Sequence, residues 1–159
     1  MLPDDVPLLA AIFVASIEEL TEDDYSEAQR EAWASRADDE EAFGEKLAGD
    51  LTLIASLAGA PVGFASLRNN THIEMLYVHP AAAGRGVAST LCDALEKLAA
   101  ARGASALSVD ASDTAHEFFR HRGYADMQRN TVVVQDEWLA NTTMRKTLTP
   151  PQAANPDDQ

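Results

Sequence analysis

The stretch Leu76-Tyr77-Val78-His79-Pro80-Ala81-Ala82-Ala83-Gly84-Arg85-Gly86-Val87-Ala88 constrains this chain more than any other. A β-type apolar run stops at Pro80, turns through a glycine-bearing loop and opens into a helix. That helix carries Val87, Leu91, Leu95 and Leu98 on one stripe and stops at Gly103. The next apolar run, Ala106–Val109, completes a strand–helix–strand crossover from Ile73 to Val109, which predicts parallel neighbouring strands. A helix N-terminus behind a small-residue loop presents unpaired N–H groups in one concavity. With the positive end of the helix dipole behind them, these groups bind phosphate or pyrophosphate. Gly84 and Gly86 permit close approach of the backbone, and Arg85 adds a charge there.

Around this unit the pattern is mixed. Asp4 or Asp5 can cap a first helix through Val6, Leu9, Ile12, Phe13 and Ile17, and Ser26 a second through Trp33. A third helix is predicted from Asp38 to Leu47, ended by Gly49. Leu51–Leu57, Val62–Leu67 and Ile73–Val78 read as an antiparallel meander with turns at Ala58-Gly59-Ala60-Pro61 and Asn69-Asn70. After the crossover, Ser112 or Asp113 can cap a helix bearing Phe118 and Phe119 and ended by Gly123. Tyr124–Val134 and Trp138–Thr147 then suggest a hairpin about Gln135-Asp136-Glu137. The predicted fold is α/β of the mixed α+β kind: antiparallel at both ends of the sheet, parallel in the middle. Residues 1–149 form one domain, and the Pro-, Asp- and Gln-rich segment 150–159 is expected to be a disordered tail.

Composition excludes several classes. Residues 1–50 hold 15 acidic and 3 basic side chains, which accounts for most of the net charge of −14. Such a surface repels nucleic acid and anionic lipid and attracts cations; solvated helix faces are the leading explanation, and a cationic substrate is compatible with it. Cys92, the single cysteine, rules out an internal disulfide framework. His72, His79, His116 and His121 show no metal-ligand spacing, so no metal is expected. The sequence shows neither a membrane-span run nor a secretory signal, and a cytoplasmic protein is the plain reading.

Together with Val78-His79-Pro80, Gly84-Arg85-Gly86-Val87-Ala88 and Phe118-Phe119-Arg120-His121-Arg122-Gly123-Tyr124, this element order resembles the GCN5-related N-acetyltransferase (GNAT) superfamily. Within it the chain looks most similar to the YafP-like bacterial branch. The resemblance runs from Asp4 to Leu148 and implies transfer of an acetyl group from acetyl-CoA to an amine. It places the pyrophosphate on Ala83, Gly84, Arg85, Gly86, Val87 and Ala88, and the pantetheine arm along Leu76, Tyr77 and Val78. Ser112, Phe118 and Phe119 join the same cofactor site. Ala83 stands where the family pattern has Gln or Arg, which removes one side-chain contact but leaves the backbone donors.

Transfer to an ammonium needs a base, because its lone pair is occupied. It also needs a donor to the developing oxyanion; the family uses a backbone N–H of the strand carrying Leu76–Val78. Glu74 is the candidate base, directly or through water, since alternation puts it on the side of the sheet that Leu76 faces. Pairing with an arginine is the competing reading of Glu74, and both stay open. Phe119 stands where many members carry a tyrosine acid; water can protonate the thiolate, so the loss need not abolish turnover. Tyr25 and Trp33 are candidates for the acceptor pocket by analogy, with core packing the simpler account of Trp33.

The family begins with a strand, whereas only Met1-Leu2-Pro3 precedes Asp4 here. A bare sheet edge, and with it a homodimer, is one consequence. The leading expectation is an N-acetyltransferase for a small, cationic amine. An acyl-CoA sensor without transferase activity and a protein N-terminal or lysine acetyltransferase are the alternatives.

Overall fold

The computed structural model describes residues 1–149. Three helices come first: α1 (Val6–Leu20), α2 (Glu27–Ala34) and α3 (Glu40–Gly49). A meander of β1 (Leu51–Leu57), β2 (Ala60–Arg68) and β3 (His72–Val78) follows, then α4 (Val87–Ala101) and β4 (Ala106–Ser112). The chain closes with α5 (His116–His121), β5 (Ala125–Val134) and β6 (Glu137–Thr147). The expected tail from Pro150 lies outside the described residues.

The six strands form one sheet in the order β1-β2-β3-β4-β6-β5, parallel only between β3 and β4. This is the mixed α/β architecture read from the sequence, with β6 inserted between β4 and its hairpin partner. Each two-residue turn sits in left-handed space, at Ala58 and Gly59 (φ 51° and 82°) and at Gln135 and Asp136 (φ 45° and 66°). That geometry matches the twist of the strands it joins. Asn69 and Asn70 also have positive φ, and Asn70 Nδ2 donates to the carbonyls of Ala99 and Arg102, tying the β2–β3 loop to the end of α4.

Helix ends follow local chemistry. Ser26 and Gln29 form a reciprocal capping box at α2, and Asp39 caps α3 by accepting from Ala42 N–H. At α1 the outcome differs. Pro3–Asp5 is a 3₁₀ turn in which the Asp5 carboxylate accepts from Leu2 N–H, so neither Asp4 nor Asp5 makes a side-chain cap to α1. Gly103 and Gly123 end α4 and α5 in paired carbonyl-capping bonds, Ala104 N–H to Ala99 O and Tyr124 N–H to Phe119 O. Ser112 accepts from Ala115 N–H just before α5 begins, one turn earlier than a true cap.

Two cores lie on opposite faces of the sheet. Leu91, Leu95 and Ala99 of α4 pack with Ala65, Leu107 and Val109 on one face, joined by Phe119 and Tyr124. Phe13 and Ile17 of α1, with Phe43 and Leu47 of α3, pack over Phe64 on the other. Close seating of α4 depends on Gly63, where a Cβ would lie 2.9 Å from Val87 Cγ1. Among the described residues no strand precedes α1, and β1 forms one edge of the sheet.

Candidate active site

β3 and β4 pair only at His72–Ser108 and Ile73–Val109, then diverge. Beyond Ile73 the facing edge of β3 has no strand against it, so its backbone donors and acceptors line a gap. The reason is local: β3 runs out to the Pro80 turn, while β4 follows β6, to which it stays paired through Ser112. The gap opens into a cavity of about 610 Å³ that reaches both faces of the sheet. That size suits a cofactor-scale ligand.

At one end lies the glycine loop. His79 Nδ1 accepts from Ala81 N–H and holds the 3₁₀ turn Pro80–Ala82. Gly84 and Gly86 take φ of 79° and 77°, a left-handed conformation that costs side-chain-bearing residues strain. Gly86 occupies the N-cap position of α4 without a side chain to cap it. The N–H groups of Val87, Ala88 and Ser89 therefore remain available to an anion, with the helix dipole behind them. Ala83, Gly84, Gly86, Val87 and Ala88 all line the cavity. Arg85 does not: it is exposed and does not line the cavity.

Leu76, Tyr77 and Val78 form the β3 wall, and Ser112, Phe118 and Phe119 the wall opposite. Phe119 is 2% exposed and packs edge-on to Tyr124, which explains an aromatic without a hydroxyl there. Tyr124 donates to Glu96 Oε2 at 3.0 Å, within a network that also joins Arg122 and Lys146 to Glu96. It belongs to the α4–α5 packing, away from the gap. Cys92 is wholly buried, and desolvation pushes its thiol up to about 12, so it is no nucleophile.

The far end of the cavity, on the α1–α3 face, is aromatic. Tyr25 and Trp33 both line it. Trp33 Nε1 donates to Tyr77 Oη at 3.3 Å, and burial raises the Tyr77 phenol to about 12. Tyr25 is buried, donates to Ala140 O at 2.6 Å and accepts from Asp113 N–H at 2.9 Å. Its hydroxyl thus bridges the α1–α2 connection to the β4–α5 loop across the gap. None of the 15 acids of residues 1–50 is on the cavity wall; the charged side chain from that segment is Arg36. The acids sit on solvated faces, so the cation-attracting field read from the sequence does not become a pocket lining.

Glu74 does not lie on the side of the sheet that alternation predicts. β2 and β3 pair at Leu67–Ile73 and Ser66–Met75, leaving Glu74 as the extra residue of a β-bulge. Alternation breaks there: Ile73 and Leu76 face the α4 core, whereas Met75 and Tyr77 face the α1 core. Glu74 meets Lys46 of α3 at 2.8 Å and Arg68 at 3.0 Å, on the face opposite Leu76. Burial raises its carboxyl, but the Lys46 hydrogen bond and the Lys46, Arg68 and His72 charges together hold it below the ordinary carboxylate range. The arginine-pairing reading describes its surroundings.

His72, Ser108 and Asp110 were not singled out as site residues by sequence, yet His72 and Asp110 share this wall with Glu74. Alternation on β4 with His72 two positions before Glu74 is the signal that contained them. Among the described residues no group of His, Cys, Asp or Glu is placed to hold a metal, and no helix is long and apolar enough to cross a membrane.

An uncapped helix N-terminus, a split between parallel strands and an aromatic pocket on the opposite face define the acetyltransferase architecture. The GNAT acetyltransferase domain model matches residues 21–148, and the chain belongs to that family of acyltransferases. YafP, an uncharacterized N-acetyltransferase of Escherichia coli K12, is 38% identical over 143 residues, covering 90% of each chain. The crystal structure of a GCN5-related N-acetyltransferase from Rhodopseudomonas palustris superposes with a TM-score of 0.92 at 66% identity, covering 93% of this chain and 92% of that one. The PaiA N-acetyltransferase of Thermoplasma acidophilum, solved in complex with coenzyme A, shares the fold at TM-score 0.75 and 17% identity, over 92% and 95% of the two chains.

Proposed function

We propose that the protein transfers the acetyl group of acetyl-CoA to a primary amine of a small molecule by direct attack in a ternary complex. The observation that carries this reading is the gap between β3 and β4, which joins the α4 N-terminus on one face to the aromatic pocket on the other. The donor supplies a thioester, and the residues present fit it. The first-turn amides of α4 hold the diphosphate, and the free edge of β3 bonds the pantetheine amides. A β3 N–H stabilises the oxyanion, an interaction whose loss costs ~10²–10³-fold in rate where it has been removed from other enzymes. Phe119 has no proton to give, so solvent protonates the leaving thiolate.

For the acceptor we favour a compact amine over a polypeptide, because Tyr25 ties the α1–α2 connection across the gap and narrows the entrance to an extended chain. Arg36 on the cavity wall has no acidic partner within 4 Å among the described residues. That favours an amine that also bears an anionic group over the purely cationic amine suggested by composition. Glu74 serves this end of the cavity as a fixed negative charge. The reaction belongs in the cytoplasm, where acetyl-CoA is made available, and self-association through the β1 edge is the assembly this fold favours.

Thiol release from acetyl-CoA, followed over a panel of alkylamines, diamines, aminoglycosides, α-amino acids and a free-N-terminus peptide, tests this. Amine-dependent release with a carboxylated small amine is expected, and Arg36→Ala should raise its KM while sparing an uncharged amine. Tight acetyl-CoA binding without amine-dependent release anywhere in the panel would overturn the reading.

A further inference from the structure

We propose that His72 is the proton acceptor for the incoming ammonium, oriented by Ser108 and flanked by Glu74 and Asp110. The proposal rests on the amine-transfer reading above and names a residue for its proton step.

His72 and Ile73 are the last residues of β3 paired to β4, so His72 sits at the floor of the gap, on the α1–α3 face where an amine would enter. His72 Nδ1 lies 2.7 Å from Ser108 Oγ, and Ser108 Oγ lies 3.4 Å from the Thr71 carbonyl. With the Ser108 hydroxyl turned to Thr71, Nδ1–H donates to Ser108 and Nε2 keeps its lone pair. Nε2 is 3.9 Å from Glu74 Oε2 and 3.8 Å from Asp110 Oδ2. Both distances are too long for a direct hydrogen bond and suit an ammonium placed among three acceptors. An ammonium has three N–H donors, and these three atoms accept from it.

The same geometry separates the roles. Glu74 is occupied by Lys46 and Arg68, and Asp110 Oδ1 accepts from Thr143 Oγ1 at 2.6 Å. Lys46 and Arg68 hold Glu74 as an anion, and with Asp110 Oδ2 it orients the ammonium and faces an imidazolium once that forms. The charged groups facing His72 are Asp110 of β4, Glu74 of β3, Arg68 of β2 and Lys46 of α3. Burial, followed by the opposing pulls of Asp110, Arg68, Glu74 and Lys46, leaves its imidazole below the ordinary 6.5. The ring is then neutral at pH 7 and able to take a proton.

The step balances. One ammonium N–H bond breaks to Nε2, and the freed lone pair forms the C–N bond at the thioester carbonyl carbon. The C–S bond breaks, the second nitrogen proton passes to solvent, and solvent protonates the departing thiolate to the thiol. His72, with 14% of its side chain exposed, then returns its proton to solvent.

His72→Gln tests this, assayed with the best amine of the panel at saturating acetyl-CoA. At neutral pH kcat should fall ~10²–10⁴-fold, with acetyl-CoA affinity by calorimetry unchanged. The deficit should shrink as pH approaches the amine's own pKa, where the amine arrives deprotonated; Ser108→Ala should show a smaller deficit of the same form. A constant deficit at every pH, or kcat within about threefold of wild type, overturns the proposal. Should no amine support turnover, the transfer reading fails. ¹⁵N NMR of the His72 ring, assigned with His72→Gln, then decides the proton-acceptor site separately. An unprotonated Nε2 at pH 7 supports it; a protonated Nε2 overturns it.

Discussion

Gly86 illustrates how one residue joins conformation to ligand affinity. Its φ of 77° lies in left-handed space, and its missing side chain leaves the α4 amides uncovered. Gly86→Glu would add strain of roughly 1–2 kcal/mol and place a carboxylate beside the bound diphosphate. The strain lowers fold stability, whereas the like-charge repulsion, about 1–4 kcal/mol at roughly 4 Å near a protein surface, lowers affinity. At about 1.4 kcal/mol per tenfold, a loss of ~10-fold or more in acetyl-CoA affinity is expected by calorimetry. Cys92→Ser is the control on the same helix. Its thiol is buried in the α4 core, away from the loop, so melting temperature should fall while affinity stays nearly unchanged. Equal losses of affinity in the two variants would remove the anion site from the α4 N-terminus. The loop was legible in sequence because glycine placement reports backbone conformation directly. Whether Arg85 lines the cavity was not, because the placement of a long exposed side chain is set by solvent and neighbours rather than by local sequence.

At the scale of elements, α4 is seated by a glycine on another strand. Gly63 of β2 faces Val87, and a Cβ there would meet Val87 Cγ1 at 2.9 Å and the Tyr77 carbonyl at 3.2 Å. Gly63→Ala must therefore push the first turn of α4 away from the sheet, at a cost of about 1–3 kcal/mol as for other overpacked cores. Chemical denaturation should show that loss. Because the displaced turn carries the anion site, acetyl-CoA affinity should drop as well; retained affinity in a destabilised variant would mean the loop is set independently of β2. Sequence pattern alone cannot find such a contact, since Gly63 and Val87 meet through tertiary packing. The meander, the crossover and both C-terminal helix caps were readable, because each rests on local periodicity or a positive-φ glycine. The bulge at Glu74 was not: an extra residue in β3 is fixed by pairing with β2, and it turned an argument from alternation onto the wrong face.

The whole molecule is two half-sheets meeting along a short seam. β1, β2 and β3 form one half and β4, β6 and β5 the other, joined in the sheet at only two residue pairs. Side chains of the α1–α2 connection and α2 stitch the halves from above: Tyr25 to Ala140 and Asp113, Asp24 to Thr114, and Gln29 to the Trp138 carbonyl. A donor lying in the gap would replace the missing strand pairing with its own amide bonds, making ligand binding and seam stability the same event. At a ligand concentration 100 times Kd the native state gains ~2.7 kcal/mol, or about 5–10 °C in melting temperature for a domain of this length. Hydrogen exchange should localise the gain. With coenzyme A, protection should rise along β3 beyond Ile73 and in the first turn of α4, while the Gln135-Asp136 turn exchanges as before. Protection spread evenly over both half-sheets would place the ligand outside the gap, because only a molecule between β3 and β4 takes up the amides that their divergence leaves free.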